Sequence, residues 1–291
     1  MDPFLGAPWG FQGQRPQRLL FAGLYESTGS PHGLDRRDPN GLKEGPLVEP
    51  AQAQLWRALE RVLDPELDQS IVRLGFVEAV AVEGSCALVT LRLPTFWCAP
   101  NFVFMMVEDI RRALLEVEGI HTVRIRLLDH FALETIEAAV QDGRSFEEAF
   151  PGEALGSLDE LRQFFRRKSY LSRHFALLRA LRAVGFSPSE ICAMQLADLL
   201  QREGAWWARR TDGTLVRIEP GEVVSRYLER RQELGLDSRP EAPLMLDPEG
   251  TPIPTESLED YLRRSRATLL NFRSNASLCQ ALLASRKGGA P

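Results

Sequence analysis

Between residues 86 and 117 the spacing of hydrophobic and polar positions changes period. Val89, Leu91 and Leu93 alternate with Leu88, Thr90 and Arg92, which predicts a strand with one side richer in large apolar groups. Pro94 ends it, because proline has no N–H to give to a ladder. Farther on, Val103, Val107, Ile110 and Leu114 recur at i, i+4, i+7 and i+11, beside a second stripe of Phe102, Met106, Asp109 and Ala113. That spacing predicts a helix over 102–117. Asn101, after Pro100, reads as its N-cap, and Glu118-Gly119 as its stop. Cys98 therefore falls in a short strand-to-helix loop, with Thr95, Phe96 and Trp97 before it.

The same reading extends along the chain. Residues 1–50 are rich in Pro and Gly and predict an extended N-terminal arm, with one short packed segment around Leu19–Tyr25. Leu55, Ala58, Leu59 and Val62 predict a helix over 51–64, broken at Asp64-Pro65. A strand Val77–Val82, a tight turn at Glu83-Gly84-Ser85, the strand 86–93, the helix and a last strand around Val123–Leu127 follow. This α-β-β-α-β order predicts a two-layer domain over 51–130. Residues 131–156 read as a connector with one helix near 131–140, and the boundary is placed near Gly156.

Residues 157–291 read as a mainly helical, partner-binding domain. Helices are expected over 157–169 and 172–184, then a third capped by Ser187 with Pro188 at its first position. The apolar face of that third helix reaches Leu199. A β-hairpin over 206–218 turns at Asp212-Gly213, and helices over 220–234 and 257–270 complete the domain. The fold class expected is thus α+β, with the small α-β-β-α-β domain followed by a mainly helical one bearing a hairpin.

Composition narrows the function. The chain has 291 residues, 44% hydrophobic and 26% charged, with a formal net charge of −5. Residues 1–150 hold 14 Lys and Arg against 22 Asp and Glu, and residues 151–291 hold 21 against 18. The balance argues against a strong non-specific nucleic-acid binder, and the asymmetry supports two domains. No apolar run approaches the ~20 residues that span a bilayer, and the start lacks the pattern of a signal peptide. The four cysteines, Cys86, Cys98, Cys192 and Cys279, are scattered without a CxxC pair, which suits a reducing cytoplasm. With four His and no Cys/His cluster, a self-contained zinc site is not expected.

The chemistry centres on Cys98. Backbone N–H groups and the dipole at a helix N-terminus favour a thiolate, the form that ligates soft metals or attacks electrophiles. A cysteine among Phe96, Trp97 and Phe102 also suits a small buried hydrophobe. The stretches Asp64-Pro65-Glu66-Leu67, Ser70-Ile71-Val72 and Leu74-Gly75-Phe76-Val77, with a cysteine after the second hairpin strand, resemble the small iron–sulfur cluster assembly family. The resemblance covers about residues 50–130. It implies that Cys98 is the functional cysteine and ligand of iron or a transiently held iron–sulfur cluster. It also implies that Asp64 and Glu66 form the acidic pair of the turn, which makes them candidate metal ligands, and that Thr95 is the hydroxyl residue before the cysteine. The chain departs from the family in having Cys98-Ala99-Pro100 for Cys-Pro and Arg73 before Leu74-Gly75. Asp129-His130-Phe131 and Phe150-Pro151-Gly152-Glu153 are similar to a subgroup associated with bacterial oxygenase systems. His130 is a further candidate ligand, and Trp97 and Asn101 support the loop.

The C-terminal half faintly resembles a tyrosine-recombinase catalytic domain, through Gly185–Glu190, the hairpin and Tyr227–Arg231. Ser187 replaces the family's arginine and no late tyrosine nucleophile follows, so strand cleavage is not expected. The expected function is a non-enzymatic factor that delivers iron or a cluster to a client metalloprotein. It would work with an assembly scaffold and, as one option, as a homodimer. A nucleic-acid-binding regulator and a thiol enzyme using Cys98 are the alternatives.

Overall fold

A computed structural model describes residues 51–152 and 157–288. The expected N-terminal arm and the boundary at Gly156 lie outside them. The described residues form one compact unit, and two hydrophobic cores lie inside it.

The first core forms as the alternation predicts. Helix α1 (Ala51–Glu60) precedes a tiny hairpin of β1 (Leu63–Asp64) and β2 (Gln69–Ser70). A three-stranded sheet follows, ordered β3 (Val77–Glu83), β4 (Cys86–Arg92) and β5 (Thr122–Leu128). β3 and β4 are antiparallel, with Val80 opposite Val89, and β4 and β5 are parallel, with Val89 opposite Ile125. A parallel pair needs a crossover, which α2 (Pro100–Leu115) supplies. α2 buries Val103, Val107, Ile110 and Leu114 against Ala87, Val89 and Leu91 of β4. Arg124 and Arg126 of β5 face solvent. Helices α3 (Leu133–Asp142) and α4 (Phe146–Ala149) add Ile136, Ala139 and Phe146 to this core.

The second core is mainly helical. It is built by α5 (Leu158–Ala183), α6 (Pro188–Ala193), α7 (Glu222–Glu233) and the start of α8 (Leu258–Gly288), around Tyr170, Leu178, Tyr227 and Tyr261. The meander β6 (Leu199–Arg202), β7 (Ala205–Arg209) and β8 (Leu215–Ile218) flanks it. The fold is mixed α+β.

Several boundaries differ from the expectation. α1 stops at Glu60 because Leu63-Asp64 pairs with Gln69-Ser70. α5 is one helix where two were expected. No Pro or Gly interrupts it, but its buried side switches partners midway. Leu158 and Leu161 pack on the first core, while Tyr170, Leu177 and Leu181 pack on the second. The α6 helix ends at Ala193, and Leu199 begins a strand that turns back through Glu203-Gly204. α8 continues well past residue 270.

Candidate functional site

The loop 93–99 carries the sulfur from the end of β4 to the start of α2. Pro100 occupies the first turn of α2, where its missing N–H costs nothing and its fixed φ suits the helix. Ala99 is therefore the N-cap, and Asn101 is not. The Asn101 Oδ1 instead accepts from the Phe102 amide at 2.8 Å, inside the first turn.

Cys98 is a free, half-buried cysteine. Its Sγ lies 3.3 Å from Thr95 Oγ1. Phe96 is 50% exposed and Trp97 73%, so the sulfur sits beside an aromatic lip. His130 supports the loop from beneath. Its ring is buried, its Nε2 is 2.8 Å from the Cys98 carbonyl oxygen, and its Nδ1 is 3.2 Å from the Ala132 amide. The amide can only donate, so Nδ1 is unprotonated and Nε2–H donates to Cys98 O. Burial lowers the His130 pKa, and the nearby Arg286 adds to that, which keeps the ring neutral. Both nitrogens are engaged, so His130, expected as a candidate ligand, positions the loop in this conformation. The Phe131 amide also donates to Phe96 O at 3.1 Å, closing the loop onto the same segment.

The acidic turn lies close by. Asp64 Oδ1 accepts from the amides of Glu66 at 2.9 Å and Leu67 at 2.8 Å, an Asx-type turn. Burial pushes the Asp64 carboxyl up to about 7, against those two hydrogen bonds. Burial also raises Glu66, partly offset by Lys168. Asp64, Glu66 and Cys98 all lie within electrostatic reach of one further group, the half-buried Cys279 of α8. Burial first, then the charges of Asp64, Cys98 and Glu66, push its thiol up to about 11. Sequence reasoning missed Cys279, since its helix was not expected to extend so far. Among the described residues, no three His, Cys, Asp or Glu side chains come close enough together to hold a metal ion.

A second polar centre anchors the same turn. Asp68, buried and at φ +52°, pairs through both carboxylate oxygens with Arg173 at 2.8 Å each. Arg230 reaches Oδ1 at 2.9 Å, and Arg226 donates to the Asp68 carbonyl at 2.7 Å. Burial alone would raise this carboxyl, but Arg173, Arg230 and Arg226 together hold it below its ordinary value. The turn is thereby tied to α5 and α7. Nothing local in the sequence marks Asp68, since its partners lie far along the chain.

This geometry falls within a segment that known proteins share. Residues 52–127 match the family model for iron–sulfur cluster assembly proteins, so the chain carries a domain of that family. An iron–sulfur cluster carrier protein of Deinococcus radiodurans is 39% identical over 71 residues, covering 24% of this chain. The match spans only 20% of that relative's own length. A crystal structure of a domain of unknown function from Bacillus anthracis is 25% identical, covers 31% of this chain and 92% of that one, and superposes with a TM-score of 0.25. Among the described residues no helix is long and apolar enough to cross a membrane.

Proposed function

We propose that this protein handles iron–sulfur clusters or their iron, taking the cargo on Cys98 and passing it to a client metalloprotein. The observation that carries the reading is the half-buried sulfur of Cys98, reachable beside an exposed aromatic lip, within the segment that matches the assembly family. The reaction is ligand exchange rather than catalysis. The Cys98 thiol gives its proton to solvent as the sulfur bonds iron, and the cargo leaves when a client's ligands replace it. Thr95 Oγ1 stands close enough to donate to the thiolate and steady it. A cluster normally takes four ligands, so the rest come from a scaffold, the client or a second copy of this chain. Phe96 and Trp97 are the surface on which such a partner docks. Glu66, half-buried at the same turn, adds an acidic group to the approach.

Cys98→Ser tests this. The variant is expected to fold as wild type and to abolish loading of an iron–sulfur client, which in an oxygenase system is read as its activity and its iron and sulfide content. Normal client loading by Cys98→Ser would refute the role.

A further inference from the structure

Helix α8 brings a second thiol to the Cys98 loop. Phe272, Ala276, Cys279 and Leu283 recur at i, i+4, i+7 and i+11, one stripe of the helix. Ala276 and Leu283 are buried in the first core, and Cys279 packs against that core as Cys98 does. The register of the stripe is held by side chains that donate to backbone carbonyls. Gln280 reaches Arg73 O at 3.4 Å, Lys287 reaches Gly75 O at 3.2 Å, and Arg286 reaches Leu93 O at 2.8 Å and Asp129 O at 3.3 Å. Leu93 opens the loop that carries Cys98. Asp129 precedes His130, whose ring holds the Cys98 carbonyl. α8 is thus moored to both segments that frame the sulfur, and Cys279 lies within electrostatic reach of Cys98, Asp64 and Glu66.

We propose that Cys279 is the second sulfur of the Cys98 site, so that each chain offers two sulfurs to its iron cargo, one from the loop and one from α8. The inference rests on the cluster-handling reading above and deepens it. With one sulfur per chain, three of a cluster's four ligands must come from outside; with two, half of the set is already in place. Each S–H loses its proton to solvent as an S–Fe bond forms, displacing a ligand already on the iron, and no oxidation state changes. The remaining ligands come from outside the chain, because no third such group closes round the pair among the described residues.

Two measurements on the full chain test the pairing and the cargo separately. Phenylarsine oxide, which bridges paired thiols, is expected to bind once per chain by intact mass in wild type and in Cys192→Ser, whose cysteine packs on the other core. Cys98→Ser and Cys279→Ser should bind it at least about tenfold more weakly, as loss of one arm of a chelate demands. In parallel, each protein is reconstituted anaerobically with ferrous iron and sulfide, then challenged with a chelator. Cys279→Ser and the apolar Cys279→Ala, both checked for folding by circular dichroism, should lose their visible absorption at least about tenfold faster than wild type. If Cys279 variants capture the arsenical and keep their cluster as wild type does while Cys98→Ser stays empty, the second sulfur is refuted and the delivery reading stands. If wild type binds the arsenical but takes up no cluster, the delivery reading fails, and with it the cargo assigned to the pair.

Discussion

Replacing Asp68 by Asn removes the one carboxylate that Arg173, Arg226 and Arg230 share, with little change of shape. Asn tolerates the left-handed φ of +52° about as well as Asp does, so backbone strain is not added. What is lost is charge. The Arg173 and Arg230 side chains are 4% and 9% exposed, and without Asp68 they keep only the more exposed Glu229, 3.6 Å from Arg173, and Glu233, 2.8 Å from Arg230. Removing one partner of a buried ion pair costs about 3–5 kcal/mol when nothing replaces it, and Glu229 and Glu233 are too exposed to replace Asp68 in full. For a unit of this size each kcal/mol lowers Tm by roughly 2–4 °C, so a fall of roughly 6–20 °C is expected. Urea unfolding of the full chain by circular dichroism reads the same loss as a lower midpoint. The pH dependence supplies a second check. A carboxyl held below its unfolded value contributes stability above that value and loses it as pH falls through the lower folded one. Wild type should therefore weaken under acid below about pH 4, where the unfolded carboxyl itself titrates, and Asp68→Asn should lack that part of the slope. A loss under about 1 kcal/mol, the range of an exposed pair, would show that Glu229 and Glu233 suffice for the arginines and that Asp68 does not brace the turn.

Asp64 gives the opposite pH sign. Its folded carboxyl titrates at about 7 against an ordinary value near 4, so the folded state holds a proton that the unfolded state has released. Stability should decline as pH rises from about 4 to 7, by at most about 4 kcal/mol, and Asp64→Asn should flatten that decline in thermal melts; an unchanged slope in the variant would assign the titration to another group. Trp97→Ala should leave Tm within about 1–2 °C, since the side chain is largely solvated, yet reduce client loading by weakening the aromatic lip; full loading at limiting protein would remove Trp97 from the docking surface.

The first core could be read directly because its signals are local. Val89 and Leu91 alternate within one strand, Val103 to Leu114 repeat within one helix, and Pro94 and Pro100 mark the ends of the sulfur loop. Thr95, Cys98 and the Asp64 turn came from short motifs for the same reason. What stayed hidden depends on contacts between distant segments. α5 and α8 pack one end on each core, so the apolar face changes direction along the helix and the period blurs. Asp68 is defined by arginines from α5 and α7, and Cys279 by a helix returning from the far end of the chain. His130 was visible as a residue near the loop, but its part in holding the Cys98 carbonyl required the geometry of both ring nitrogens.

α8 has 31 residues, and at about 1.5 Å per residue it is a rod roughly 46 Å long. Leu258 and Tyr261 seat one end in the helical core, while Ala276 and Leu283 seat the other beneath the sulfur loop. A continuous helix resists bending, so the seat of Leu258 and Tyr261 in the helical core helps fix where Cys279 stands along the rod.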